Sequence, residues 1–156
     1  MVGLIQELEV PERFAGLTLF RRVDPHMSPW RVICWWELRR IPFNLVIGAT
    51  GIFVLVTLDA CGAIAQRYLG EPIGVPDPPM VAVGAILLYG VMANVLYTGG
   101  WASEILVTHV WKENVPDFGP AVLFVGFSLS VGLTLLPAIA IAGMVAVQLA
   151  LHAVSP

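Results

Sequence analysis

The sequence predicts an all-α integral membrane protein. Three transmembrane helices are expected, the last long and kinked at Pro137, preceded by an N-terminal cytoplasmic amphipathic segment. Three observations predict this class. The 156 residues are 58% hydrophobic and only 12% charged, against about 25% charged residues in an average soluble domain. The mean hydropathy is +0.84. The apolar residues are concentrated in three long runs, Ile41 to Leu58, Pro79 to Leu96 and Pro120 to Leu151. A spanning helix needs about 20 mostly apolar residues. Backbone groups in lipid must be satisfied within the segment, so such runs read as helix rather than strand. The expected division is an interfacial segment over 1–40 and a helical domain over 41–152, with spans near 41–65, 79–106 and 120–151.

The first 40 residues begin without the basic start of a cleavable signal: Glu7, Glu9 and Glu12 precede or flank the first arginine, Arg13. The first span is therefore expected to act as an uncleaved anchor. "PERFAGLTLFRRVDP" mixes Phe14, Leu17, Leu19 and Phe20 with Arg21 and Arg22, a composition suited to a membrane surface or a partner. "SPWRVICWWELRR" then reads as a helix start, with Ser28 as N-cap and Pro29 at the first helical position. Trp30, Trp35 and Trp36 are expected at headgroup level, with Arg39 and Arg40 at the cytoplasmic boundary. The helix should run on into the first span. Asp59 lies about 27 Å from Ile41 along such a helix, which places it hydrated at the opposite interface.

"GEPIGVPDPP", residues 70–79, cannot continue a helix and separates the first span from the second. The third run is 32 uncharged residues with Pro137 in its middle. As one helix it is about 48 Å long and must tilt or kink in a ~30 Å core. The alternative is a hairpin of two short helices turning at Pro137. Six arginines stand in residues 1–40 and no Lys or Arg follows Lys112. The positive-inside rule then places the N-terminus in the cytoplasm and, with three spans, the C-terminus outside.

A polar stripe crosses the second span. Gly90, Asn94, Tyr97, Trp101, Glu104 and Thr108 point within about 40° of one direction on a helix. Asn94 should lie about 21 Å in from Met80, and Glu104 at headgroup level. Glu37, Arg40 and Asn44 share a face on the first helix at the same level, continued by Gly48 and Gly51. Antiparallel packing would bring Arg40 or Arg39 to Glu104, and Asn44 near Tyr97 or Trp101. The stripe is then a hydrogen-bonded seam between helices, or else the lining of a polar cavity or of a headgroup or ligand site. Gly99 and Gly100 fall where a bend is tolerable. Ala138, Ala142, Ala146 and Ala150 recur every four residues on the third helix and form a candidate close-packing and assembly face.

Other chemistry is thin. Cys34 and Cys61 are 27 residues apart, roughly 40 Å on one helix, and are expected to be free thiols. His26, His109 and His152 are isolated; no zinc-ligand spacing, HExxH, Ser/His/Asp set or phosphate loop is present. His109 is placed to pair with Glu104. No catalytic residue, cofactor or metal is expected. The sparse, scattered basic residues argue against nucleic acid as a partner.

"WELRRIPFN", Trp36 to Asn44, resembles a W-E-x-R-R-x-x-[F/Y]-N pattern of small bacterial multi-pass membrane proteins of unknown function. The later N-x-x-Y-T-x-G-W-x-x-E, Asn94 to Glu104, fits the same group. The resemblance implies a bacterial inner-membrane location and no activity. The expected partners are the lipid bilayer and copies of the chain or other membrane subunits. The leading functional expectation is a non-catalytic subunit or scaffold. The rival is a homo-oligomeric channel or transporter with Asn94, Tyr97 and Glu104 facing a pore; a lipid-acting enzyme ranks last, for want of a nucleophile–base pair.

Overall fold

The computed structural model describes residues 28–70, 79–112 and 117–154. Among these all regular secondary structure is helical: α1 is Pro29–Leu69, α2 is Pro79–Ile105 continued by a π-turn over Leu106–Val110, and α3 is Phe118–Val154. The expected amphipathic segment up to residue 27, with His26, lies outside the described residues.

Each boundary has a local cause. The carbonyl of Ser28 accepts the amides of Arg31 (2.9 Å) and Val32 (3.2 Å), so Pro29 occupies the first turn, where its missing N–H costs nothing. At the other end of α1, Gly70 has φ of +72°, the left-handed conformation that stops a helix and that glycine adopts without penalty. The end of α2 widens into the π-turn, whose closing bond runs from the Trp111 amide to the Leu106 carbonyl at 3.0 Å. Lys112 then turns left-handed, at φ 56°. Asp117 accepts the amide of Ala121 at 3.0 Å to open α3. The third apolar run is one continuous helix through Pro137, not a hairpin. Pro42 likewise sits inside α1.

Two of these helices, α1 and α3, are long and apolar enough to cross a membrane. Only 17% and 11% of their most apolar stretches are buried, whereas the core helix of a soluble protein hides such a stretch. Leu45, Ile52, Phe53 and Val56 of α1 and Leu133, Leu136, Ile139 and Val147 of α3 are all more than half exposed.

The described residues fall into two compact units, the first within Met1–Asn44 and Val91–Leu129, the second within Leu45–Gly90 and Ser130–Pro156. In the first unit α1 buries Val32, Trp36 and Phe43, and α2 buries Ala93, Tyr97, Gly100, Glu104 and Val107. The α2 positions step by four, three, four and three, the spacing by which one stripe of a helix stays against a neighbour. Phe118, Ala121 and Leu123 of α3 complete the interior.

In the second unit Cys61, Ala65 and Val145 form the centre, with Leu69, Ile141, Ala142 and Leu149 packed around them. Tyr89 of α2 donates its hydroxyl to the Ser130 carbonyl and shares a 2.8 Å bond with Thr134 Oγ1, tying α2 to α3. The alanine run divides here. Ala138 is buried and Ala142 packs on the centre, but Ala146 and Ala150 are exposed. A four-residue step advances 40° beyond a full turn, so four alanines spread over about 120° and cannot share one packed stripe. Cys61 is buried, Cys34 is exposed, and both are free thiols. Asp59 and His152 are exposed.

Candidate functional site

The polar groups of the first unit gather along the seam between α1 and α2, and their centre is Trp36. It is 1% exposed. Its indole Nε1 donates to Glu104 Oε2 at 2.6 Å, and its backbone carbonyl accepts the hydroxyl of Tyr97. The ring meets Tyr97 edge-on, centroids 5.3 Å apart, and Trp35 edge-on at 5.6 Å. Phe43 continues the cluster, 4.8 Å from Tyr97 and 5.9 Å from Phe127 of α3. Trp36 is thus packed inside the protein, whereas Trp30 is exposed. Trp36 points inward because it shares the buried stripe of α1 with Val32 and Phe43.

Two glycines make the seam close enough for these bonds. A Cβ on Gly100 would lie 2.7 Å and 2.8 Å from carbons of the Trp36 ring. A Cβ on Gly119 would lie under 3 Å from all three carboxyl atoms of Glu104. Gly100 is therefore a packing glycine and not a bend, and α2 is helical through it. Glu104, 5% exposed, is held between the Trp36 indole and the first turn of α3. The positive end of a helix dipole favours a negative neighbour. Trp36, Glu104 and Gly119 join all three helices at one point.

The expected Arg40–Glu104 pair does not form. Arg40 donates from Nη2 to Thr98 Oγ1 at 2.8 Å, pairs with Glu37 at 2.9 Å, and lies over the Tyr97 ring at 5.1 Å. Arg39 does not replace it on Glu104 in the contacts seen: it donates to the Trp35 carbonyl at 3.0 Å and stacks on the Trp35 ring at 3.8 Å. The indole reaches Glu104 because Trp36 is on the inner stripe, one turn before Arg40. Asn44 pairs with Asn94, not with Tyr97 or Trp101, through reciprocal amide bonds of 3.0 Å and 3.3 Å. Trp101 is partly buried, and its Nε1, like Arg40 Nε, is covered by protein without a hydrogen-bond partner among the described residues. Thr108 Oγ1 returns to the Glu104 carbonyl at 2.7 Å and lies 2.8 Å from His109 Nδ1.

The seam therefore brings together Arg40, Asn44, Asn94, Tyr97 and Glu104, and adds Trp36, Thr98, Gly100 and Gly119. The missed residues had a signal: Trp36 and Phe43 are seven apart, as are Gly100 and Val107, the repeat of a packed stripe. Chemically the arrangement is a set of hydrogen bonds between helices centred on Trp36, Tyr97 and Glu104. No group of three or more potential metal ligands occurs among the described residues. Compared with protein-family models, with curated proteins and with solved structures, the chain matches none.

Proposed function

We propose that the chain is a non-catalytic subunit or scaffold of the bacterial inner membrane, assembling with copies of itself or with other membrane subunits. It crosses the bilayer three times, with α2 as the third span beside α1 and α3. Its N-terminus is cytoplasmic and its C-terminus is outside. At 1.5 Å per residue α2 is about 40 Å long, enough for a ~30 Å hydrocarbon core. The arginine distribution supports the orientation.

One observation carries the reading: the polar groups at the centre of the seam, Trp36, Tyr97 and Glu104, are bonded to one another and covered, while most large side chains of the outer surfaces are apolar. Trp36, Tyr97 and Glu104 are each buried and hydrogen-bonded across helices. A transport path needs the reverse, polar atoms turned to an open lumen that binds and releases a solute. The close fits at Gly100 and Gly119 hold the Trp36 ring and the Glu104 carboxyl against neighbouring helices. A hydrogen-bonded seam fixes helix geometry more than it adds stability, since such contacts average ~0.6 kcal/mol in membranes. A subunit that must present a fixed outer surface needs that geometry.

The test is purification in mild detergent with native mass determination, beside reporter fusions at both termini. Co-purifying subunits or a defined oligomer, with an external C-terminus, are expected. A ring of identical chains that conducts ions or solutes in liposomes would refute the scaffold and favour the homo-oligomeric channel or transporter. A cytoplasmic C-terminus would refute the three-span orientation.

A further inference from the structure

The α1–α2 seam keeps one register along its outer edge. Asn44 pairs with Asn94; four residues earlier on α1, Arg40 bonds Thr98, four residues later on α2. One turn further in the same sense, the register sets Glu37 opposite Trp101. Donors outnumber acceptors within this square. A guanidinium carries five N–H donors, and both bonds of Arg40 leave from Nη2, to Thr98 and to Glu37 Oε1. Its Nε and the indole Nε1 of Trp101 have no hydrogen-bond partner among the described residues. Thr98 Oγ1 is already used: it accepts from Arg40 and donates to the Asn94 carbonyl at 2.9 Å. Glu37 is the one carboxylate of the square and bonds through Oε1. The edge is open, with 27% of the Arg40 side chain and 44% of the Glu37 side chain exposed. An N–H left without an acceptor in a native structure marks a place for a water, an ion or a ligand.

We propose that this square binds a phosphoethanolamine headgroup of a lipid, the phosphate on Arg40 and Trp101 and the ammonium on Glu37. The inference rests on the membrane-subunit reading, which sets Arg40 at the cytoplasmic boundary, at the depth of lipid headgroups. There a phosphate supplies the acceptors that the square lacks, and a guanidinium is well matched to it. The N–H groups of Arg40 Nη1, outside its two bonds, meet the phosphate first. Nε and the indole N–H are covered and reach an oxygen by rotation of the Arg40 stem and the Trp101 ring. Glu37 decides between headgroups. A purely anionic headgroup would set its charge against this carboxylate at close range. A primary ammonium carries three N–H donors, as that of lysine does, and the second oxygen of Glu37 accepts one of them. A choline headgroup has the charge but no N–H. A short carbon bridge joins amine to phosphate, and the 2.9 Å contact of Arg40 with Glu37 holds the two protein charges side by side. Each charge of the headgroup therefore meets its opposite. Free phosphoethanolamine offers the same groups, but only the lipid is held at this depth by its own acyl chains.

The experiment uses the full chain, purified in mild detergent and read by native mass spectrometry with its lipid adducts. After delipidation, phosphatidylethanolamine, phosphatidylglycerol and phosphatidylcholine with the same acyl chains are added back singly, and free phosphoethanolamine separately. Wild type should retain the ethanolamine lipid at least several-fold more than either other lipid, and the free compound least. Arg40→Gln should cut that retention several-fold, and Glu37→Gln should level the ethanolamine and glycerol lipids. Should either variant fail to fold, Trp101→Phe serves instead: it keeps an aromatic ring, removes the N–H, and should lower retention as well. Arg31→Gln, at an exposed arginine of the same helix outside the square, should change nothing. Equal retention of the three lipids by wild type, or retention unmoved by Arg40→Gln and Trp101→Phe, overturns the site. Free phosphoethanolamine bound as strongly as the lipid overturns the lipid as occupant. The same spectra count subunits, so the two readings fail separately. An assembly without lipid preference keeps the scaffold and loses the site; a lone chain with the preference does the reverse.

Discussion

Replacing Gly119 by alanine should be one of the most damaging single-methyl changes in the first unit. The new Cβ would come under 3 Å from every carboxyl atom of Glu104, closer than non-bonded carbon and oxygen tolerate. Neither side yields easily. The carboxylate is 5% exposed and bonded to the Trp36 indole at 2.6 Å; the glycine is in the first turn of a 37-residue helix. Overpacking of a filled site costs about 1–3 kcal/mol. If the carboxylate moves instead, the indole bond is lost. That costs about 0.6 kcal/mol by the membrane average and up to ~3 kcal/mol if the buried donor is left without a partner. By either route the expected loss is about 1–3 kcal/mol.

Reversible unfolding in mixed micelles, followed by Trp fluorescence, gives this free energy directly. Two controls isolate the cause. Gly126→Ala is on the same helix, exposed, with nothing within 4 Å of its Cβ, and should change stability by less than ~0.5 kcal/mol. Gly119→Ala combined with Glu104→Ala should cost at least ~1 kcal/mol less than the sum of the single changes, because the clash is gone. Strict additivity, or a Gly119→Ala protein as stable as wild type, would refute the three-helix junction as described.

Gly100→Ala should destabilise by about 1–3 kcal/mol through contact with the Trp36 ring, whereas Gly99→Ala, open on all sides, should be near neutral in the same unfolding assay. Arg40→Ala and Glu104→Ala should be additive within ~0.5 kcal/mol, since Arg40 bonds Thr98 and Glu37 and not Glu104; a coupling above that would restore the direct pair. Ala142→Leu should lower protomer stability by about 1–3 kcal/mol, because Ala142 packs on the Cys61–Ala65–Val145 centre. Exposed Ala146→Leu should leave protomer melting unchanged, and the comparison of the two melting curves decides it.

How much of this was legible without coordinates depends on which periodicity a residue obeys. The three apolar runs announced three helices, and Gly70 and Pro29 marked ends that local backbone geometry enforces. The pairing of the α1 and α2 polar segments was also legible, since Arg40, Asn44, Asn94 and Glu104 fall at matching levels on antiparallel helices. The partners within that pairing were not. Charge singled out Arg40 for Glu104, but an arginine on the flank can turn outward to Glu37 and Thr98, and a tryptophan on the inner stripe cannot turn away. Which of two neighbouring faces is buried is decided by the three-and-a-half-residue repeat of large and small residues, and the polar pattern cut across it. The alanine run divides for the same reason. Its four-residue step resembles a close-packing motif locally, yet it drifts around the helix and leaves the core after Ala142. Glycines show the converse. Gly99 and Gly100 are indistinguishable as letters, and only the Trp36 ring above one of them makes its missing Cβ a requirement. In an apolar chain, composition therefore reports that helices meet, and the fit of Trp36 to Gly100 and of Glu104 to Gly119 reports where.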